Sequence, residues 1–500
     1  MTREFRMPSR PAPERTRNTV FPVIALCLTA FVVMVDTTIV QVMVPDLMRV
    51  LGADLGQVLW VVNGFILVYA ALLITAGRAG GLLGPRVLLI AGLLLFAAAS
   101  LACGLSSSPA QLIAARIAQG VGGAVIVPQS LTLVALMFPG NRRGAALGVV
   151  SATMALAAVV GPVGGGMIVT AWGWRWAFLV NVPLCVLALA LALRYVPAVR
   201  PTGRQRLDWG GVVLATAGLG VVTYGLVEGR RYGWGSITGP VTIPLVFAAG
   251  LVLLAAFVWW EHRCTAPVMP PGLFGYRSFT TAGGLACVQF VVMLGLMLIV
   301  TLHVQRIQGG SAIDAGLVLL PMAVMAGLLS PLAGWFTDRV GGARIIMGGF
   351  TVMSAGVVWF ALLASPSVAV PALMPPSALV GAGVGLVMAP ASTEAIRDLP
   401  QSLVPAASGL LNTGRQIAGL LGVAIVGAIL QNGSSVHEAA SGADARPEAA
   451  DAAFVDAFTT AERVALVALA AMALAAALIS PLLRPRSPLP HVPRTTSPTP

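Results

Sequence analysis

The chain has 500 residues, of which 57% belong to the hydrophobic set and only 10% are charged, with a mean hydropathy of +0.90. Soluble domains are roughly 45–50% apolar and about 25% charged, so a water-solvated globule is excluded. All 30 cationic side chains are Arg, for a net charge of +12, and the absence of Lys rules out a P-loop Lys, a Schiff-base Lys and a Ser-x-x-Lys nucleophile.

Residues 1–20 form an Arg- and Pro-rich segment that reads as a disordered basic tail. Apolar runs follow at 21–44, 57–77, 86–105, 110–136, 144–170, 174–194, 209–228, 241–260, 278–303, 314–336, 344–364, 372–392, 404–430 and 462–482. About 20 helical residues cross the ~30 Å hydrocarbon core. Lipid offers an open backbone no hydrogen-bond partner, so runs of this length read as helices. Breaks as short as Gly104–Pro109 make neighbouring runs antiparallel hairpins. The segment 431–461 is polar and acidic and reads as an external loop; residues 483–500 read as a second disordered tail.

Loop charge sets the expected orientation. With the N-terminal tail in the cytoplasm, 21 Arg fall on the cytoplasmic side and 7 on the other, with Arg116 and Arg415 inside spans. The positive-inside rule then places both termini in the cytoplasm and retains the first span as a helix. The scattered Arg argue against a nucleic-acid surface. Five Cys form no CxxC pair and read as reduced thiols. Trp172, Trp174 and Trp176, and Trp259 with Trp260, read as interfacial anchors.

Charged and polar residues inside spans carry the functional expectation. Asp36 lies in the first span with apolar runs on both sides, where an ionised carboxylate costs roughly 2.5–3.5 kcal/mol. Arg116, Gln119, Gly120 and Gly123 fall at i, i+3, i+4 and i+7, one helix face presenting a charge among small residues. Arg116 is expected to pair with Asp36, with acidic groups of a substrate or with backbone carbonyls, Asp36 being the obvious partner and the proton-carrying group; a purely structural, hydrogen-bonding Asp36 is the alternative. Gln41, Asn63, Tyr69, Gln119, Gln289, Phe290, Met293, Asn412 and Arg415 are the expected cavity lining. Arg415 as a structural pin between helices, and Met and aromatic residues as core packing, are the blander readings. Besides Asp36, the carboxylates noted near spans are Glu228, Glu394 and Asp398, all at predicted ends. That scarcity of acids points to neutral or weakly charged lipophilic substrates, with anionic ones, held through Arg116 or Arg415, as the alternative. Gly148, Gly161, Pro162 and Gly165 suggest a kinked, closely packed hinge in the fifth span.

The two halves repeat. Gly77-Arg-Ala-Gly-Gly-Leu-Leu-Gly-Pro-Arg86 follows the second span, and Gly334-Trp-Phe-Thr-Asp-Arg-Val-Gly-Gly-Ala-Arg344 follows the tenth. Such repeats build a midplane site between bundles. From about residue 20 to 482 the chain resembles the fourteen-helix drug:proton antiporters of the major facilitator superfamily. The resemblance rests on Met34–Pro45 around Asp36, Arg116-Ile-Ala-Gln-Gly120, Gly148 through Gly161-Pro-Val-Gly-Gly-Gly166, Trp174–Pro183 and Asn412-Thr-Gly-Arg-Gln416.

This resemblance implies an all-α integral membrane protein with the major facilitator fold. Its expected parts are a six-helix bundle at 21–194, two inserted helices with linkers at 195–277, and a second six-helix bundle at 278–482. It also implies proton-coupled efflux, the fifth-span motif marking export, and a cytoplasmic gate at Arg78, Arg86, Asp338, Arg339 and Arg344. The first gate copy departs from the pattern: Gly81 stands where the family usually has Asp. Expected partners are a small lipophilic substrate, protons and lipid, with a single copy of the chain, no nucleic acid and no cofactor or metal. No G-x-S-x-G or H-E-x-x-H motif supports an enzyme. A proton-independent facilitator and a lipid or metabolite exporter remain alternatives on sequence grounds.

Overall fold

The computed structural model describes residues 20–138, 140–198, 208–229, 231–264, 267, 269–400, 403–440 and 447–483. The tails expected at 1–20 and 483–500 fall almost wholly outside these residues. Helix α1 (Val20–Val42) is followed by the short α2 (Val44–Leu51), then α3 (Leu55–Leu83), α4 (Pro85–Leu105), α5 (Pro109–Met137) and α6 (Gly140–Trp172). The sixth span is broken at Val180 into α7 (Trp174–Leu179) and α8 (Asn181–Tyr195). Two inserted helices, α9 (Trp209–Glu228) and α10 (Ile243–Arg263), are joined through a small antiparallel pair, β1 (Ser236–Thr238) and β2 (Val241–Thr242). The second bundle comprises α11 (Arg277–Leu302), continued by a π-turn at His303–Ile307, then α12 (Ala312–Val340), α13 (Gly342–Leu363), α14 (Met374–Ile396), α15 (Val404–Ala440) and α16 (Pro447–Ile479).

Among the described residues, 13 helical stretches are long and apolar enough to cross a membrane. The remaining expected span, 144–170, falls within the continuous helix α6, whose apolar stretch Val160–Trp172 is shorter. This is a multi-pass membrane protein.

Local signals recur in both halves. Asp54 caps α3 in a reciprocal box with Gln57, and Ser311 caps α12 the same way with Asp314. The turns into α4 and α13 both pass through a glycine with positive φ, Gly84 at 91° and Gly341 at 92°. No side chain crowds Gly341, so backbone conformation alone requires glycine there.

The bundles meet along α6 against α12 and α3 against α15, with α9 and α10 packed outside the second seam. The seam is tight at the end of the molecule opposite the described termini. A Cβ on Gly166 would stand 2.5 Å from the Ala312 carbonyl, and one on Gly316 the same distance from that of Pro162. There, Gln305 Nε2 also donates to the Val42 carbonyl at 2.8 Å. A cleft of about 730 Å3 opens at this end, lined among others by Asp46, Thr170, Gln305, Arg306 and Ser311.

Three expectations need correction. Trp174 is not an interfacial anchor: it is 1% exposed and packs edge-on against Phe178, whereas Trp172 and Trp176 are exposed. The acidic stretch 431–461 is largely helical, because α15 runs to Ala440 and α16 begins at Pro447. The last apolar span starts at Phe454 rather than 462, which moves Glu462 from the edge of the span to its interior as a further buried carboxylate. The Cys prediction agrees with the structure: all five are free.

Candidate functional site

Asp36 is the seventeenth of the 23 residues of α1, about 9 Å along the axis from Val42 at 1.5 Å per residue. It therefore sits in the last third of the helix. Side chains from two other helices meet its carboxylate. Oδ2 accepts from Arg116 Nη1 on α5 at 2.5 Å. Oδ1 accepts from Gln119 Nε2, also on α5, and from Asn181 Nδ2 on α8, both at 2.8 Å.

The partners are themselves held. Arg116 Nη1 donates to Gln119 Oε1 at 2.6 Å and Arg116 Nε to the Val61 carbonyl of α3 at 3.0 Å. Its guanidinium lies 4.2 Å from the Phe65 ring centroid, a cation–π distance. Gln119 Nε2 also donates to Ser100 Oγ of α4 at 2.8 Å. Asp36, Gln119, Asn181 and Ser100 are 0% exposed and Arg116 1%.

Backbone features explain how these residues converge. Arg116 and Gln119 share one face of α5 at i, i+3. A Cβ on Gly120 would stand 2.7 Å from the Phe65 carbonyl, so only glycine lets α5 approach α3 closely enough for Arg116 to reach Val61. The break between α7 and α8 makes Asn181 the first residue of a helix and aims it at α1. Gln119, expected in the substrate cavity, is instead bonded into the Asp36 cluster. Asn181 and Ser100 were not singled out from sequence: Asn181 lay in the Trp174–Pro183 motif with no role attached to it, and Ser100 in an apolar run with no periodic signal.

The other expected cavity residues lie apart from this cluster. Gln41 and Asn63 are fully buried, and neither side-chain polar atom of either residue has a protein partner. Tyr69 is buried and stacked on Phe65. In the second half, Gln289 Nε2 donates to the Val384 carbonyl of α14 at 3.2 Å, leaving Oε1 without a partner. Arg415 Nη2 donates to Ser392 Oγ at 2.7 Å and the Met388 carbonyl at 3.3 Å, so it ties α15 to α14. Its guanidinium lies 5.7 Å from the Phe290 ring. Phe290, Met293 and Asn412 are half-buried.

The glycines of α6 set its seat on α1. A Cβ on Gly161 would stand 1.8 Å from Thr38 Oγ1, and one on Gly165 2.3 Å from Ile39 Cγ1. The helix runs unbroken through Pro162, with Gly148 in its first half. The gate residues are not brought together by the described contacts. Arg78 Nη2 donates to the Pro267 carbonyl at 2.5 Å and Arg86 Nη2 to the Leu193 carbonyl at 2.6 Å. Arg339 lies over the Trp335 ring at 3.7 Å, Arg344 is exposed, and the Asp338 side chain lies outside the described residues. Among the described residues, no group of three His, Cys, Asp or Glu could hold a metal ion.

The site can thus hold a buried carboxylate on three donors, with separate unpaired polar atoms near the seam between bundles. Comparison with known proteins places this architecture. The family model "Major Facilitator Superfamily" matches residues 26–423 and 285–499. The chain is 35% identical to the cephamycin export protein CmcT of Amycolatopsis lactamdurans, over 84% of this chain and 87% of the relative. It is 32% identical to the multidrug resistance protein Stp of Mycobacterium tuberculosis, over 83% of this chain and 76% of that one. A bacterial homolog of the human lysosomal transporter Spinster, solved in an inward-facing and occupied conformation, shares the fold. Its TM-score is 0.63 at 17% identity, covering 94% of this chain and 97% of that one. The chain is a transporter, not an enzyme, and belongs to the major facilitator superfamily.

Proposed function

We propose that the protein exports a lipophilic drug or antibiotic across the cytoplasmic membrane in exchange for protons, by alternating access. Export is supported by the relatives named for cephamycin export and multidrug resistance. Coupling is supported by one observation above all: Asp36 is fully buried and all three of its described side-chain partners present N–H donors.

A carboxylate accepts three such bonds, but a carboxylic acid carries a hydrogen that none of these donors can accept. Protonation of Asp36 therefore weakens the bond from Arg116 to the oxygen that takes the proton, and leaves the new O–H in need of an acceptor. Asn181 can respond by rotating its amide, because its Oδ1 has no partner in this state. Arg116 keeps the Val61 carbonyl and Gln119 Oε1 when it lets Asp36 go. The bonds affected join α1, α5 and α8, so the proton changes how α1 sits against its own bundle. Since α1 also bears on α6 at Gly161 and Gly165, that change is transmitted to the seam with α12.

The Arg distribution supports cytoplasmic termini; in that orientation the Asp36 cluster would lie nearer the external face, where protons would enter. One proton moving inward through 100 mV contributes about 2.3 kcal/mol. Exchange for a neutral molecule would use both the potential and the pH gradient. Gln41, Asn63, Gln289 and Asn412 supply amide groups rather than charge to the substrate, which favours neutral lipophilic compounds. A drug-susceptibility panel in an expressing strain tests the reading. Resistance should be lost with an uncoupler, whereas resistance that persists without a proton gradient would support a facilitator instead.

A further inference from the structure

A second buried titratable pair lies in the other bundle. His303 Nδ1 and Glu462 Oε2 are 2.8 Å apart, and both side chains are 0% exposed. His303 Nε2 and Glu462 Oε1 have no hydrogen-bond partner. The pair joins α11 to α16, the first and last spans of the second bundle, as the Asp36–Asn181 bond joins the first and last spans of the first.

Its position is mechanically connected. The His303 carbonyl accepts the i+5 bond from Gln308 N–H at 3.1 Å, which defines the π-turn. Two residues on, Gln305 bonds the Val42 carbonyl of α1 across the seam, and Gln305 and Arg306 line the end cleft. The imidazole ring also meets Phe360 edge-on.

Other charges near the pair are few. Arg463, beside Glu462, acts on it electrostatically while donating to the Ala364 carbonyl. Arg306 of the π-turn is exposed. On α12, Asp314 is engaged by Ser311. Arg344 of α13 and Glu394 of α14 lie at the opposite ends of their helices, and Arg415 of α15 is bonded to α14. The side chains of His437 and Glu438 on α15 lie outside the described residues.

We propose that His303 and Glu462 form a second proton-binding site, which controls closure of the bundle seam at the end cleft. The Nδ1–Oε2 contact holds one hydrogen; as neutral imidazole donating to carboxylate the pair carries a net negative charge in an apolar site, and one added proton neutralises it as imidazolium with carboxylate. A buried net charge is costly, so the unprotonated pair favours opening of the π-turn to water and release of Gln305 from Val42, and protonation favours closure. This rests on the alternating-access reading, but not on the role of Asp36.

The test uses the full chain in nanodiscs, with Cys264 and Cys287, the two cysteines that are not buried, replaced by Ser. Spin labels at the exposed residues Arg49 and Ser367, introduced as Arg49→Cys and Ser367→Cys, report the distance across the end cleft. In an Asp36→Asn background, the distance distribution should still shift between about pH 5.5 and 8.5, the range of an imidazole-containing pair. Adding Glu462→Gln or His303→Gln should abolish that shift. A shift already absent in Asp36→Asn, or one that survives both further substitutions, overturns the proposal. If either variant fails to fold, infrared difference spectra of Asp36→Asn over the same pH range decide it: a carboxylate band that changes with pH, and is perturbed in whichever variant folds, is expected, and its absence is contrary. Loss of exchange in Asp36→Asn is read separately, by transport.

Discussion

Asn181, the first residue of α8, donates its side-chain amide to Asp36 Oδ1 at 2.8 Å, 145 residues away in the chain. This bond ties the break in the sixth span to the buried carboxylate of the first. Removing one donor from a buried charged acceptor costs about 1–3 kcal/mol. Asn181→Ala should therefore slow substrate–proton exchange by about tenfold or more at unchanged surface expression. Initial rates in everted vesicles, normalised to protein, check this.

Arg116 uses separate atoms for separate partners, Nε for the Val61 carbonyl and Nη1 for Asp36 and Gln119. A Lys ammonium is a single point donor on a flexible stem and cannot reproduce that fork. Arg116→Lys should fail to restore exchange despite keeping the charge, giving at most a few per cent of wild-type rate. Near-normal rates would mean that charge alone matters at this position.

The seam between α6 and α12 predicts a graded glycine series. A Cβ on Gly166 would meet backbone of Ala312 and Ile313 at 2.5–2.8 Å, and backbone cannot rotate away. On Gly164 the nearest atom is a Val160 methyl at 3.6 Å, an ordinary contact. Gly166→Ala should hold the end cleft open and cut exchange severalfold, and Gly164→Ala should be nearly silent. Alkylation of a cysteine placed at Thr170, on the cleft wall, reports the opening.

Asp208, at the start of α9, gives a pH prediction outside the membrane spans. Burial alone would raise its carboxyl, but the Gly211 amide and the Trp260 indole N–H donate to it and hold it below the ordinary aspartate range. Its stabilising effect is therefore present above the unfolded value, near pH 4, and is lost as pH falls through the folded value. Asp208→Asn should lower the thermal midpoint at pH 7, and the gap from wild type should shrink below about pH 4. Thermal unfolding of the detergent-solubilised protein at the two pH values measures it.

Much of this was legible in the sequence, for physical reasons. Long charge-free runs must be helices in lipid, and Asp36 and a backbone carbonyl, two of the partners open to an Arg with no water to face, are the ones Arg116 meets. What failed was anything that depends on which helix lies beside which. Gln119 shares a face with Arg116, yet only the packing of α1 on α5 decides that it meets Asp36. Asn181 lay in the Trp174–Pro183 motif, where nothing signalled that its amide would reach α1, and Trp174 is buried against Phe178 while Trp172 and Trp176 are exposed. Glu462 escaped notice because polar residues before it obscured where the apolar span begins, and its partner His303 is 159 residues distant.

Proton transfer at Asp36 is the step on which coupled export depends. In proteoliposomes with an imposed pH gradient and an enclosed pH dye, a transported drug should drive proton movement through the wild-type protein. Asp36→Asn should bind the same drug but move no protons above the protein-free background. Gradient-driven efflux and proton movement at wild-type rates in Asp36→Asn would contradict the account.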